Sequence, residues 1–168
     1  MPLSSLLPQS PGFPLGVYEV EQVESDESLE GGLTDYLKAH PLVAALIDGE
    51  HVYPYFVPRH VEQGQFPCIV YSVTEQPVES ITGQAGVATV SIDLECWSPV
   101  FDTSCKLATA VRKSLQAFRG WFGCCAVAGI WYQGIDDDAE KPSDDSGVYW
   151  FCRTVSFDVS YVVPLHTF

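Results

Sequence analysis

The sequence predicts an α+β domain, with an antiparallel sheet of four to five strands and two main helices packed on one face. Three observations carry this. Val90, Ile92, Leu94 and Cys96 alternate with Ser91, Asp93 and Glu95, and Val155, Phe157, Val159, Tyr161 and Val163 alternate with Ser156, Asp158 and Ser160, as half-buried strands do. Between these segments, Leu107, Ala108, Val111, Leu115 and Phe118 fall on one stripe of a 3.6-residue period.

Taken in chain order, residues 1–28 carry Pro2, Pro8, Pro11 and Pro14 and then an acidic stretch with little period, so they are expected to form a flexible extension. The single domain is expected over 29–168. Leu33, Tyr36 and Leu37, then Leu42, Val43, Leu46 and Ile47, recur at helical spacing across Pro41, which reads as one broken helix or two short ones ending at Asp48-Gly49. His51 to Pro58 is apolar but punctuated by prolines, as a short edge strand or an extended loop would be. Phe66 to Thr74 reads as a strand, and Gln76 to Ala88, with Pro77, Gly83 and Gly86, as a long turn. The second helix is expected to open on Asp102 as a cap and to close near Gly120. Strands are then expected over 126–135 and 148–163, with an acidic loop between them holding Asp136, Asp137, Asp138 and Glu140. The short links imply antiparallel pairing. No internal repeat occurs.

At 168 residues, 46% hydrophobic and 18% charged, the chain can bury a core of its own without disulfide or metal staples. No apolar run approaches the ~18 residues that span a bilayer, and the start has no basic region of a signal peptide, so a cytosolic site of synthesis is expected. Acidic residues outnumber basic ones 22 to 8, leaving no basic footprint for nucleic acid. The six cysteines lack CxxC spacing and read as small buried hydrophobes.

No motif for catalysis or cofactor binding is found. GxSxG, GxxxxGK[ST] and GxGxxG are absent, and His40, His51, His60 and His166 form no metal-ligand spacing. Asp136 to Glu140 lacks the interleaved ligands and glycine of a calcium loop, so no metal is expected there. Four tryptophans, eight tyrosines and nine phenylalanines exceed what one small core needs, which points to a subunit contact. Candidate contact residues are Val78 and Ile81 in the long turn, Tyr53 and Tyr55 in the proline-bounded segment, and Arg112 on the basic face of the second helix.

In their order, several segments resemble the tail-completion or tail-terminator proteins of long-tailed bacteriophages and prophages. They are Leu-Val-Ala-Ala-Leu-Ile-Asp-Gly-Glu-His-Val-Tyr-Pro (42–54), Phe-Pro-Cys-Ile-Val-Tyr (66–71), Thr-Val-Ser-Ile-Asp-Leu-Glu-Cys-Trp (89–97) leading into an alanine-containing helix, and a closing strand rich in tyrosine and phenylalanine. The resemblance covers about residues 30–164. It implies a structural subunit with no catalytic residues, forming a homo-oligomeric, hexameric ring that caps the tail tube and joins tail to head. The implied partners are other copies of the chain, the tail-tube protein and a head-connector protein, with no membrane and DNA at most passing through the ring. The implied location is the host cytoplasm during assembly and then the virion tail. Two alternatives stand beside it: a small-molecule binding module or unrecognised enzyme using Asp93, Glu95 and Asp158 on the open sheet face, and a monomeric adaptor using the acidic arm.

Overall fold

Pro41 divides the first helical region in two. In the computed structural model, which describes residues 28–56, 66–76, 87–116, 118–140 and 149–162, α1 spans Leu29–Ala39 and α2 spans Pro41–Ile47. Ser28 caps α1 by accepting a hydrogen bond from the Gly31 amide at 3.2 Å. Pro41 starts α2 at a position where its missing N–H costs nothing. Asp48 then takes a left-handed conformation (φ 50°) and Gly49 another (φ 78°), ending the helix. Leu33, Leu37, Val43 and Ile47 face the core, but Leu42, which shares the helical spacing, is 52% exposed.

The strands are β1 (Val52–Pro54), β2 (Cys68–Gln76), β3 (Val87–Ser98), β4 (Gly120–Phe122), β5 (Cys125–Glu140) and β6 (Trp150–Val162), with α3 (Phe101–Gln116) between β3 and β4. They form one sheet in the order β1-β2-β3-β6-β5-β4. Among the described residues, two features correct the sequence expectation, six strands instead of four to five and a mixed sheet instead of an antiparallel one, while the first helical region takes the form of two short helices. The parallel pair is β1 with β2, in the register Val52↔Ile69 and Pro54↔Tyr71. The chain between them, about a dozen residues, is long enough for a parallel return.

The three helices among the described residues lie on one face. Val90, Ile92, Leu94 and Cys96 of β3 and Val155, Phe157 and Val159 of β6 are buried beneath Leu107, Ala108, Val111 and Leu115 of α3. The Ser104 hydroxyl ties α3 to β3 by donating to the Cys96 carbonyl at 3.0 Å, and Tyr36 Oη ties α1 to α3 by donating to the Ser114 carbonyl at 2.9 Å. Asp102 does not cap α3. Residue Val100 precedes the helix and its carbonyl accepts from Thr103 and Ser104, while Asp102 sits in the first turn and pairs with Lys106 at 2.6 Å. There it still complements the helix dipole. α1 crosses β4 so closely that a Cβ on Gly32 would lie 1.8 Å from the Gly123 nitrogen.

The acidic loop is also corrected. Asp136, Asp137, Asp138 and Glu140 belong to β5 and pair across to Thr154, Arg153, Cys152 and Trp150 of β6. β6 begins early enough to offer a partner to every residue through Glu140, so the hairpin extends and the acids ride on it exposed. The long turn expected at Gln76 to Ala88, with Val78 and Ile81, lies outside the described residues from 77 to 86, as does the extension up to residue 27.

Candidate assembly surface

The face away from the helices carries a polar ladder. Asp93 accepts from Ser156 Oγ at 2.5 Å, Asp158 accepts from Ser91 Oγ at 2.8 Å and from Gln133 Nε2 at 2.6 Å, and Glu95 accepts from Trp97 Nε1 at 2.9 Å. Asp93 and Asp158 face their donors in the register of β3 with β6, Asp93↔Ser156 and Ser91↔Asp158. The three carboxylates suggested for ligand binding are therefore each engaged by a neighbouring side chain and occupy separate rows. Such a ladder orders the face.

At one end of that face, Cys68, Trp97, Cys152 and Asp138 form a single cross-strand row. Phe66 and Trp150 pack on each other nearby (centroids 4.2 Å apart), and with Trp97 and Glu140 they line a recess of about 230 Å³. Burial pushes the thiols of Cys68 and Cys152 up to about 12 and that of Cys96 well above its ordinary value. Cys124 is exposed in the turn before β5, 3.9 Å from the sulfur of Cys125, which burial and its neighbour raise to about 11. A maleimide at pH 7.5 should therefore modify Cys124 in the folded protein and reach Cys68, Cys96 and Cys152 only after unfolding, as read by intact mass and peptide mapping. Rapid native labelling of those three would contradict the packing.

The candidate contact residues do not converge. Tyr53 is half-buried, with its hydroxyl 3.1 Å from His51 Nδ1. Tyr55, with φ 59°, donates its amide to the Tyr71 carbonyl at 2.7 Å and leaves its ring 59% exposed. Arg112 lies on the far side of the sheet order, its guanidinium 4.2 Å from the centre of the Tyr132 ring. Val78 and Ile81 are outside the described residues. On the extended hairpin, Asp137 turns to the helix side and forms a two-pronged ion pair with Arg153, which holds its carboxyl below the usual carboxylate range. Arg153 also faces the Phe101 ring. Asp138 accepts from the Ala139 amide at 2.7 Å, and Asp136 and Glu140 are exposed.

Sequence reasoning did not single out the more exposed aromatic groups from the tryptophans and the proline-bounded segment that it considered. Phe56 beyond β1 is 71% exposed, Trp121 on β4 67% and Trp131 on β5 52%. The excess of aromatic residues was their only signal, and it could not separate them from Trp97 or Phe157. Among the described residues no group of three or more His, Cys, Asp or Glu side chains is placed to hold a metal ion, and no helix is long and apolar enough to cross a membrane.

Exposed aromatic groups thus stand towards both ends of the sheet, over a single core and beside an internally paired polar face. Residues 31–120, more than half of the chain and running from α1 to the start of β4, match the family described as Tail completion protein gp17. The chain belongs to that family, whose members are structural components of phage virions. A search of curated protein sequences found no significant match. Among solved structures, the chain shares its fold with a protein of the "Virion of native gene transfer agent (GTA) particle", at 17% identity and a TM-score of 0.55, over 78% of this chain and 92% of that one.

Proposed function

We propose that the protein is a ring-forming subunit that caps the phage tail tube and joins tail to head. The observation that carries this reading is the family match over residues 31–120, because those residues build the helical layer and half of the sheet. Two features support it. The exposed aromatic groups at the sheet ends suit contacts with further copies, and the fold is shared with a chain from a gene transfer agent virion. On this reading the tail-tube protein and a head-connector protein are its partners, the protein resides in the particle after assembly in the host, and the acids of the β5–β6 hairpin fringe the ring or line its bore. There they would repel DNA phosphates passing through.

Electron microscopy of lysates from a strain lacking the gene provides the test. Tails of uncontrolled length without heads are expected, and restored particles on complementation. Tails of normal length joined to heads would overturn the proposal.

A further inference from the structure

We infer that copies of this chain dock head to tail through the two opposite ends of the sheet, Tyr55 and Phe56 just after β1 of one copy seating beside the open edge of β5 of the next. This deepens the ring reading above and rests on it. A closed ring needs two different, complementary patches on each subunit. The strand order places β1 at one end of the sheet and the β5–β4 pair at the other.

At the β5 end, β4 covers only Cys125 to Val127. From Ala128 onward, no strand among the described residues lies on the outer side of β5. The stretch 128–135 carries no charge, and it exposes Trp131 and Ile135. Soluble monomers usually blunt such an edge with charge, as this chain does only from Asp136 onward. Alongside lies a recess of about 180 Å³ between the end of α3 and the edge, lined in part by Phe118, Arg119, Ile130 and Trp131. The Trp131 indole lies so close over Gly129 that a Cβ there would come within 2.6 Å of the ring. Arg119 and Lys113 are exposed and make no ion pair among the described residues.

The β1 end is its counterpart. Tyr55 and Phe56 project at the outer strand, and Asp48 and Glu50, just before it, are exposed with no ion pair among the described residues. Asp48 and Glu50 thus flank the β1 end and Arg119 and Lys113 the recess beside residues 128–135, while the exposed acids Asp136, Asp138 and Glu140 lie farther along β5, beyond the uncharged stretch. Around the recess this local pairing of base with acid favours a contact between the two unlike ends. The aromatic side chains of Tyr55 and Phe56 provide the apolar anchor for the recess, with Asp48 and Glu50 facing Arg119 and Lys113.

Two variants test the pairing, each with one end spoiled by an arginine: Phe56→Arg at the β1 end and Trp131→Arg at the β5 end. Both side chains are more than half exposed, so the variants should keep the wild-type far-UV spectrum and thermal midpoint. Arg119→Glu replaces Trp131→Arg if the latter misfolds. In native mass spectrometry over a concentration series the wild type should form oligomers, and each variant alone should weaken association on the order of thirtyfold. Mixing Phe56→Arg with Trp131→Arg should restore a one-to-one dimer and nothing larger, because one intact contact remains and the two spoiled ends repel. A wild-type oligomer that survives either substitution, or a mixture that stays monomeric, would overturn this contact while leaving the ring reading intact. A wild type that is monomeric throughout would overturn a self-driven contact, and tail morphology in the deletion strain would decide the ring reading separately.

Discussion

Gly32→Ala should destabilise the protein by more than about 3 kcal/mol, a large fraction of the stability of about 5–15 kcal/mol that a domain usually has. Helix propensity alone predicts the opposite, since alanine in a helix gains about 1 kcal/mol over glycine. The close approach of α1 to the β4–β5 turn decides the sign. The added Cβ would sit 1.8 Å from the Gly123 nitrogen and 2.2 Å from the Phe122 carbonyl carbon, and these are backbone atoms that no rotamer change can move. Relief requires shifting α1 off β4, which would open the buried contacts of Leu29, Leu33 and Phe122. Gly31→Ala is the internal control, because its Cβ would meet only Ser28 Oγ at 3.6 Å. That variant should be neutral or more stable by up to about 1 kcal/mol. Urea denaturation of the pair is the measurement, and equal midpoints would mean that α1 does not lie against β4 as described.

How much of this was legible in the sequence depended on the length and sidedness of each element. β3 and the body of β6 showed their alternation because one face is buried and the other polar, and α3 showed its stripe because four turns repeat the period. β1 and β4 have three residues each, too few to display any period, and so the sheet was read two strands short or one. The parallel sense of β1 was hidden for the same reason: its pairing depends on where the chain returns after Pro54, which local pattern does not encode. The hairpin beyond Ile135 was read as a loop because consecutive aspartates disfavour strands. Cross-strand pairing with β6 and the Asp137–Arg153 ion pair outweigh that preference.

The assembly surface was less legible than the fold. Aromatic abundance pointed to a contact, but burial depends on which strands neighbour each ring. Trp131 and Tyr132 are adjacent in sequence, yet Tyr132 lies against Phe157 under Arg112 while Trp131 stands over Gly129 at the edge. Arg112 was chosen as a free cation on a polar helix face and is stacked on Tyr132 of its own chain. Arg119, which the sequence groups with Lys106, Arg112 and Lys113 as one basic stripe of the second helix, lies beyond the end of α3 and is the basic group beside the open edge.

Phe157→Ala should cost about 3–5 kcal/mol, the range for deleting a buried phenylalanine. The side chain is 1% exposed on β6, the strand that pairs with both β3 and β5. It lies opposite Ile92 on one side and Tyr132 on the other, meeting the Tyr132 ring edge to face at 5.8 Å. Its loss would leave a cavity at the centre of the helix-covered face, and the neighbours that could collapse into it are β-branched residues held by the sheet: Ile92, Val155 and Val159. Tyr132 would lose its edge contact, and Arg112 the firm ring beneath it. Trp131→Ala, by contrast, removes a larger side chain from the adjoining strand, yet it should cost under about 1 kcal/mol because the indole is half in solvent. The two substitutions should therefore separate the protein's two uses of aromatic residues. Phe157→Ala should lower the urea midpoint steeply, and any loss of self-association should follow the loss of fold, since β6 is what positions β5 and its open edge. Trp131→Ala should leave the midpoint almost unchanged while weakening self-association. Equal losses of stability in the two variants would mean that β5 and β6 are not aligned in the register Tyr132↔Phe157 and Trp131↔Asp158, and the edge assigned to the neighbouring subunit would fall with that register.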